Sequence, residues 1–283
     1  MKKITKIGRS FFPLFLIVLL LAFLSGYDSF TPSTYGTIDI TSTPPGAKLY
    51  LDGEDTGYVT PAVLPDISAG THTLLLTKYL YNNWESTIDL AAGQTYIIAV
   101  DLEEAAIEEM SIREGIDAGV ETFFPDNNYS DLEFLAVGDS AIDYNTMRTF
   151  IKFDLGSIPE GAIITKALIN LYYFDDYGSG DIDIDLHEVS EDWQENQITW
   201  NTMPDYETTK VADFHCNVSN LNSFLGDEIT TLCRLWVEQS KPNYGLMLKV
   251  RDENTIAYAP KFYSLEYPDV TKRPLLRIDY YIP

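Results

Sequence analysis

Three stretches of this chain carry residue types at spacings that could do chemistry. In Asp181-Ile182-Asp183-Ile184-Asp185-Leu186-His187 the polar residues alternate strictly with apolar ones. Successive side chains of a strand point to opposite faces, so Asp181, Asp183, Asp185 and His187 would form one column. Like charges at that spacing repel, and an oxygen-seeking cation would relieve them. A solvated acidic face would show the same pattern. The second stretch is residues 167–174. If Ala167, Ile169, Leu171 and Tyr173 face inward, then Leu168, Asn170, Tyr172 and Phe174 face outward. Outward aromatic groups on one strand mark either a ligand surface or a face on which another part of the chain packs. Asp175 and Asp176 extend the line, and carboxylates beside aromatic rings can hydrogen-bond the hydroxyls of a sugar stacked there. The third is Trp193 and Trp200 around a Gln/Glu/Asn-rich segment, which reads as a sugar-stacking platform or as two pins holding a long loop.

Catalysis finds no comparable support. The three histidines, His72, His187 and His215, form no i, i+4 pair. Cys216 and Cys233 are not a CxxC, and no Gly-x-Ser-x-Gly elbow or phosphate-binding glycine loop occurs. A glycosidase pair needs carboxylates about 5–10 Å apart in a cleft, which spacing cannot single out among 43 acids. The chain therefore reads as non-enzymatic, with no catalytic residue.

The net charge of −24 excludes nucleic acid as a natural partner, because such a surface repels phosphate. Four of the 19 bases (Lys2, Lys3, Lys6, Arg9) stand in the first 26 residues, where there is no acid, so the remainder is more acidic still. The two cysteines form one disulfide or stay as buried thiols.

The elements that must position these groups are mostly strands. Residues 1–26 are set apart: a basic start, an apolar run over 11–24, then Ser25-Gly26, the layout of a secretory signal. Gly26 suits cleavage while Leu24 does not, so both a cleaved signal and an N-terminal membrane anchor through residues 11–24 are consistent with it. Residues 27–35 read as a tether. Strands are expected near 37–41, 47–51, 71–78, 84–90 and 95–102, with Asp52-Gly53 as a hairpin turn. Residues 103–110, acidic and helix-compatible, read as a linker or short connecting helix. Beyond them, strands are expected near 149–155, 163–173, 181–187, 245–250 and 274–280. One helix interrupts them over 227–239, with Asp227 as N-cap and a buried stripe of Ile229, Leu232 and Trp236. Many short strands with regular turn signals argue for a sandwich.

Two resemblances complete the reading. Pro44-Pro45-Gly46-Ala47-Lys48-Leu49-Tyr50-Leu51-Asp52-Gly53, Thr60-Pro61 and Gly70-Thr71-His72 together resemble a PEGA domain over about residues 36–102. Farther on, the motif series Arg148-Thr149-Phe150-Ile151-Lys152-Phe153-Asp154, Ile158-Pro159-Glu160-Gly161, Glu191-Asp192-Trp193, Thr199-Trp200-Asn201 and Asn243-Tyr244-Gly245-Leu246 is similar to DNRLRE (disaggregatase-related repeat) domains over about 111–283. The first resemblance implies a non-catalytic surface module. The second implies a jelly-roll β-sandwich of extracellular proteins that often serves as a carbohydrate-binding module. It also suggests a structural calcium site near the termini, for which Asp117, Asp126, Asn128 and Glu266 are the candidates.

The expectation is an all-β protein: a small PEGA-type module, then a jelly-roll sandwich with one short helix. It is exported to the cell surface or the extracellular space. Its second module is expected to bind polysaccharide or another cell-envelope polymer through Tyr172, Phe174, Asp175, Asp176 and Trp193. An envelope protein that binds protein partners, and a polysaccharide-degrading enzyme, are the alternatives.

Overall fold

The computed structural model describes residues 34–140, 145–177, 181–253 and 259–283, without the side chains of residues 140, 176 and 177. The signal or anchor segment 1–26 and most of the tether lie outside the described residues. Among the described residues no helix is long and apolar enough to cross a membrane. The chain forms two compact units, residues 34–79 with 83–102, and residues 80–82 with 103–283.

The first unit holds strands β1 (Tyr35–Thr43), β2 (Lys48–Leu51), β3 (Glu54–Val59), β4 (Ala62–Ser68), β5 (Gly70–Thr77), β6 (Trp84–Leu90) and β7 (Thr95–Asp101). They make a three-stranded sheet, β4-β1-β7, and a four-stranded sheet, β3-β2-β5-β6. Alternation explains the core: Ile38, Ile40, Leu49, Leu74, Leu76, Ile88 and Leu90 are buried while their neighbours face solvent. Asp52 and Gly53 both take positive φ (52° and 85°), as a two-residue hairpin turn of the right twist requires. His72 clasps this turn. Its Nδ1 lies 2.7 Å from Asp52 Oδ2 and its Nε2 lies 2.8 Å from the Ser68 carbonyl. Two acceptors on one ring favour the imidazolium, and the Asp52 hydrogen bond raises the His72 pKa. Strands β3 and β4 were not anticipated. Nearly every β3 side chain is exposed, so no alternation betrays it.

The second unit contains β8 (Glu108–Ile112), β9 (Gly115–Glu121), β10 (Phe134–Ala136), β11 (Gly138–Ser140), β12 (Asn145–Phe153), β13 (Ile163–Tyr177), β14 (Ile182–Val189), β15 (Tyr206–Cys216), β16 (Ser223–Glu228), β17 (Leu246–Val250), β18 (Ala259–Tyr263) and β19 (Leu275–Tyr281). Sheet I runs β10-β18-β13-β19-β8, with β16 also paired to β13. Sheet II runs β11-β12-β17-β14-β15, with β9 also paired to β12. The chain crosses between the sheets at most connections, as in a jelly roll, and both sheets feed one core that includes Ile151, Ile169, Tyr173, Ile184, Leu248, Phe262 and Ile278. The expected β-sandwich is what the structure shows.

Two local expectations are corrected and one open alternative is decided. Residues 108–110, read as linker or helix, belong to β8, because β19 offers its edge and Ile112 is buried there. The helix, α1 (Thr230–Val237), is shorter than expected, and Asp227 lies in β16 rather than capping it. Its buried stripe is as expected: Ile229 just before it, then Leu232 and Trp236. Cys216 and Cys233 are both buried thiols of the sandwich, and burial pushes Cys233 up to about 12.

Candidate functional site

Sheet I presents an aromatic row on its outer face. The parity of β13 decides its position. Ala167, Ile169, Leu171 and Tyr173 are buried, while Leu168, Asn170, Tyr172 and Phe174 remain partly open to solvent. Cross-strand register then adds partners from distant sequence. Tyr172 stands opposite Phe224 of β16. On the other side β18 pairs Phe262 with Tyr173, which brings Tyr263 beside Tyr172. Tyr263 in turn stands opposite Phe134 of β10. Phe224, Tyr172, Tyr263 and Phe134 thus form a line across four strands, one ring per strand. At about 4.8 Å between strands the line is about 14 Å long.

The rings hold one another. Tyr172 meets Phe224 edge-on at 5.2 Å and stacks with Tyr263 at 5.6 Å. A bulge at Phe174 lets that ring stack on Tyr263 at 4.1 Å, and Tyr267 stacks on Tyr263 at 3.5 Å. Phe224 keeps 37% of its surface exposed. The hydrogen bond with Tyr267, reinforced by burial, pushes the Tyr263 phenol up to about 12, so it stays a proton donor at any physiological pH. Cations flank the row although the chain is acidic. Lys272 Nζ lies 5.5 Å from the Tyr172 ring centre and 5.9 Å from that of Tyr263, and the Arg113 guanidinium lies 6.0 Å from Phe224. Asp175 sits at the row's end, paired with Lys261 at 3.0 Å. The backbone of Asp176 pairs with Pro260, but its side chain lies outside the described residues.

An open row of rigid aromatic groups edged by hydrogen-bonding charges is suited to a sugar polymer. Residues 108–279 match the family model of Carbohydrate-binding module family 96. The chain belongs to that family. Ahead of the family 96 module, residues 35–106 match the PEGA domain. Both resemblances drawn from motifs are therefore borne out, the DNRLRE one under the family 96 description. No curated protein matches the chain. Solved structures similar to it include the Bacillus anthracis TIE protein, at 9% identity over 88% of this chain and 48% of that one, TM-score 0.20. The full-length major pilin SpaD from Corynebacterium diphtheriae matches at 8% identity over 89% and 56%, TM-score 0.19. A structure of promiscuous carbohydrate-binding modules of the β-sandwich superfamily matches at 10% identity over 84% and 79%, TM-score 0.15. The chain spans about half the length of the first two. Superpositions this loose support no inference.

Within the family 96 module, Trp193 is a correction. It belongs to the outer side of Sheet II, away from the row, and only 6% of it is exposed. Its indole N–H donates to the Tyr244 carbonyl at 2.8 Å, its ring packs edge-on against Phe150, and Lys152 Nζ covers it at 5.5 Å. Trp200 is likewise engaged, 4.8 Å from the Arg148 guanidinium, which Glu253 grips through two 2.8 Å bonds. Both tryptophans pin the loop of residues 190–205 onto Sheet II.

Of the four residues expected to ligate calcium, Asp117 and Glu266 meet, while Asp126 and Asn128 are engaged elsewhere. Asp117 is 1% exposed, accepts the Leu265 N–H at 2.8 Å and neighbours Glu266. Burial first, then the Glu266 charge, pushes its carboxyl well above the usual range. Asp126 instead accepts from Asn201, and Asn128 ties the carbonyls of Glu195 and Ile198 at 2.7 Å. Among the described residues no group of three or more His, Cys, Asp or Glu is arranged to hold a metal ion. The acidic column is also resolved differently. Arg251 bridges Asp183, Asp185 and Asp213, Lys210 adds to Asp185 and Asp213, and His215 meets Asp183 at 2.9 Å. His187 stays on the column's face, since β14 keeps its register with β17, but there it is buried against Tyr206, with Nδ1 against the Glu207 carbonyl.

Sequence reasoning missed Phe224, Tyr263, Tyr267 and Phe134. Tyr267 lies in the loop after β18, and Phe224, Tyr263 and Phe134 lie in short strands whose alternation is visible only once the strand is known. What places them beside Tyr172 is register, which no local pattern carries.

Proposed function

We propose that this protein is an exported, non-catalytic binding protein that holds a polysaccharide along the outer face of Sheet I. The observation that carries the reading is the in-register row Phe224–Tyr172–Tyr263–Phe134. Aromatic faces and edges pack against the C–H surface of sugar rings, while the Tyr hydroxyls, Lys272, Arg113 and Asp175 engage hydroxyl groups. Mutual stacking leaves the rings little freedom to lose on binding, which favours affinity. The basic, apolar start of the chain supports export, and the PEGA module acts as a spacer near the cell envelope. Affinity electrophoresis of the full chain through gels cast with neutral and acidic polysaccharides tests the proposal. Retardation by at least one polymer, lost in Tyr172→Ala and in Tyr263→Ala, is expected. No retardation by any polymer would refute it.

A further inference from the structure

Where the aromatic row reaches β10, it runs into a cleft of about 320 Å³ at the meeting of the two sheet edges. β9 and β12 of Sheet II form one wall and β10 and β18 of Sheet I the other. Phe134 is both the last ring of the row and a wall of this cleft; Met147, Tyr129, Glu121, Asn145 and Lys261 complete the part that matters chemically. The Glu121 carboxylate is fixed from two sides, with Tyr129 O–H donating to one oxygen and Asn145 Nδ2–H to the other. Asn145 is itself held by accepting the Phe123 N–H at 2.9 Å. Each Glu121 oxygen still has a lone pair to offer. Lys261 Nζ stands 5.5 Å from the Phe134 ring centre, steadied by Asp175.

We propose that this cleft is a second subsite that takes a single neutral pyranose unit at the end of a glycan chain. Glu121 accepts two of its hydroxyl protons, Lys261 donates to a ring substituent oxygen, and Phe134 and Met147 pack against its C–H face. The volume lies at the low end for ligand pockets, which fits one ring and not a continuing chain. A positioned carboxylate selects against uronic acids, whose own carboxylate it repels. The link to a longer polymer rests on the proposed role of the row, because Phe134 joins the two; the cleft itself can be tested alone.

The test uses the full chain labelled with methyl-¹³C methionine. Met147 reports on the cleft, while Met110, Met203 and Met247 lie elsewhere and serve as internal controls. Methyl glucopyranoside, galactopyranoside and mannopyranoside, each too small to span the row, are titrated to about 0.1 M, beside methyl glucuronide. The Met147 methyl is expected to shift saturably with at least one neutral pyranoside and not with the glucuronide. Glu121→Gln should weaken that response by about tenfold and Ala136→Trp, which fills the cleft, should abolish it. Lys241→Ala, which removes an exposed ion pair with Glu188 away from the cleft, should leave it unchanged. If no neutral pyranoside moves Met147 in the wild type, the subsite is overturned whatever the variants do, and a surviving gel retardation would leave the row standing. A Met147 shift without any gel retardation would keep the cleft and discard the row. An equal response to the glucuronide would overturn the neutral class.

Discussion

The outer faces of the two sheets of the family 96 module are built from the same residue types and end in opposite states. Sheet II carries Phe150, Tyr206 and Arg148, but the loop of residues 190–205 lies over them through its own Trp193 and Trp200 and makes a second, smaller core with Val120, Val189, Ile198 and Met247. Sheet I carries Phe224, Tyr172, Tyr263 and Phe174, which Tyr267 and Lys272 touch from the segment after β18 without closing over them, so all four keep some exposure. Aromatic content therefore does not define a binding surface. What separates the two faces is how much of the rings a neighbouring loop leaves uncovered, together with a cross-strand register that lines them up.

Substitutions on the two faces should separate stability from binding. Trp193→Ala should have the largest effect, a loss of about 3–5 kcal/mol in urea unfolding, since it removes a buried ring and its Tyr244 hydrogen bond. Polysaccharide retardation should survive at temperatures where the variant is folded; its loss there would return Trp193 to the site. Arg148→Ala should cost about 2–3 kcal/mol, because Glu253 would be left without its two-pronged partner and Trp200 without its cation. It too should leave binding alone. Tyr263→Ala, at the centre of the row, should cost only about 1–2 kcal/mol in stability while weakening polymer binding at least about tenfold. If unfolding and binding change together on both faces, the contrast fails.

The seam between the sheets offers the smallest effects. Asp117 of β9 meets Glu266 just beyond β18, and its raised carboxyl pKa means the folded state keeps a proton that the unfolded chain releases. That contribution is complete below the ordinary Asp value near 4 and is lost as pH rises through the folded value. Asp117→Asn should therefore flatten the fall in Tm as pH rises above about 4. Millimolar calcium should move the wild-type Tm by less than about 1 °C; a rise of several degrees would show that a cation, not a proton, reconciles the pair.

The sandwich class was legible because alternation in residues 149–155, 163–173 and 245–250 is a direct imprint of one buried face. The same imprint placed Tyr172 and Phe174 outward, since parity along one strand is a local property. Trp193 went astray because its sequence surroundings are polar, and polarity of neighbours says nothing about a loop folding back over a sheet. Asp126 and Asn128 stand apart from Asp117 and Glu266 for a related reason: their short polar side chains fasten nearby loops. Phe224, Tyr263 and Phe134 were invisible because their neighbourhood exists only through pairing between segments far apart in the chain.

Because one ring stands on each of four adjacent strands, the pitch of the row is fixed by the backbone ladders and not by the side chains themselves. Exchanging one aromatic type for another would alter grip without altering spacing. The sheet thus serves as a ruler, and a polymer whose repeat falls out of step with it would touch one ring well and miss the next.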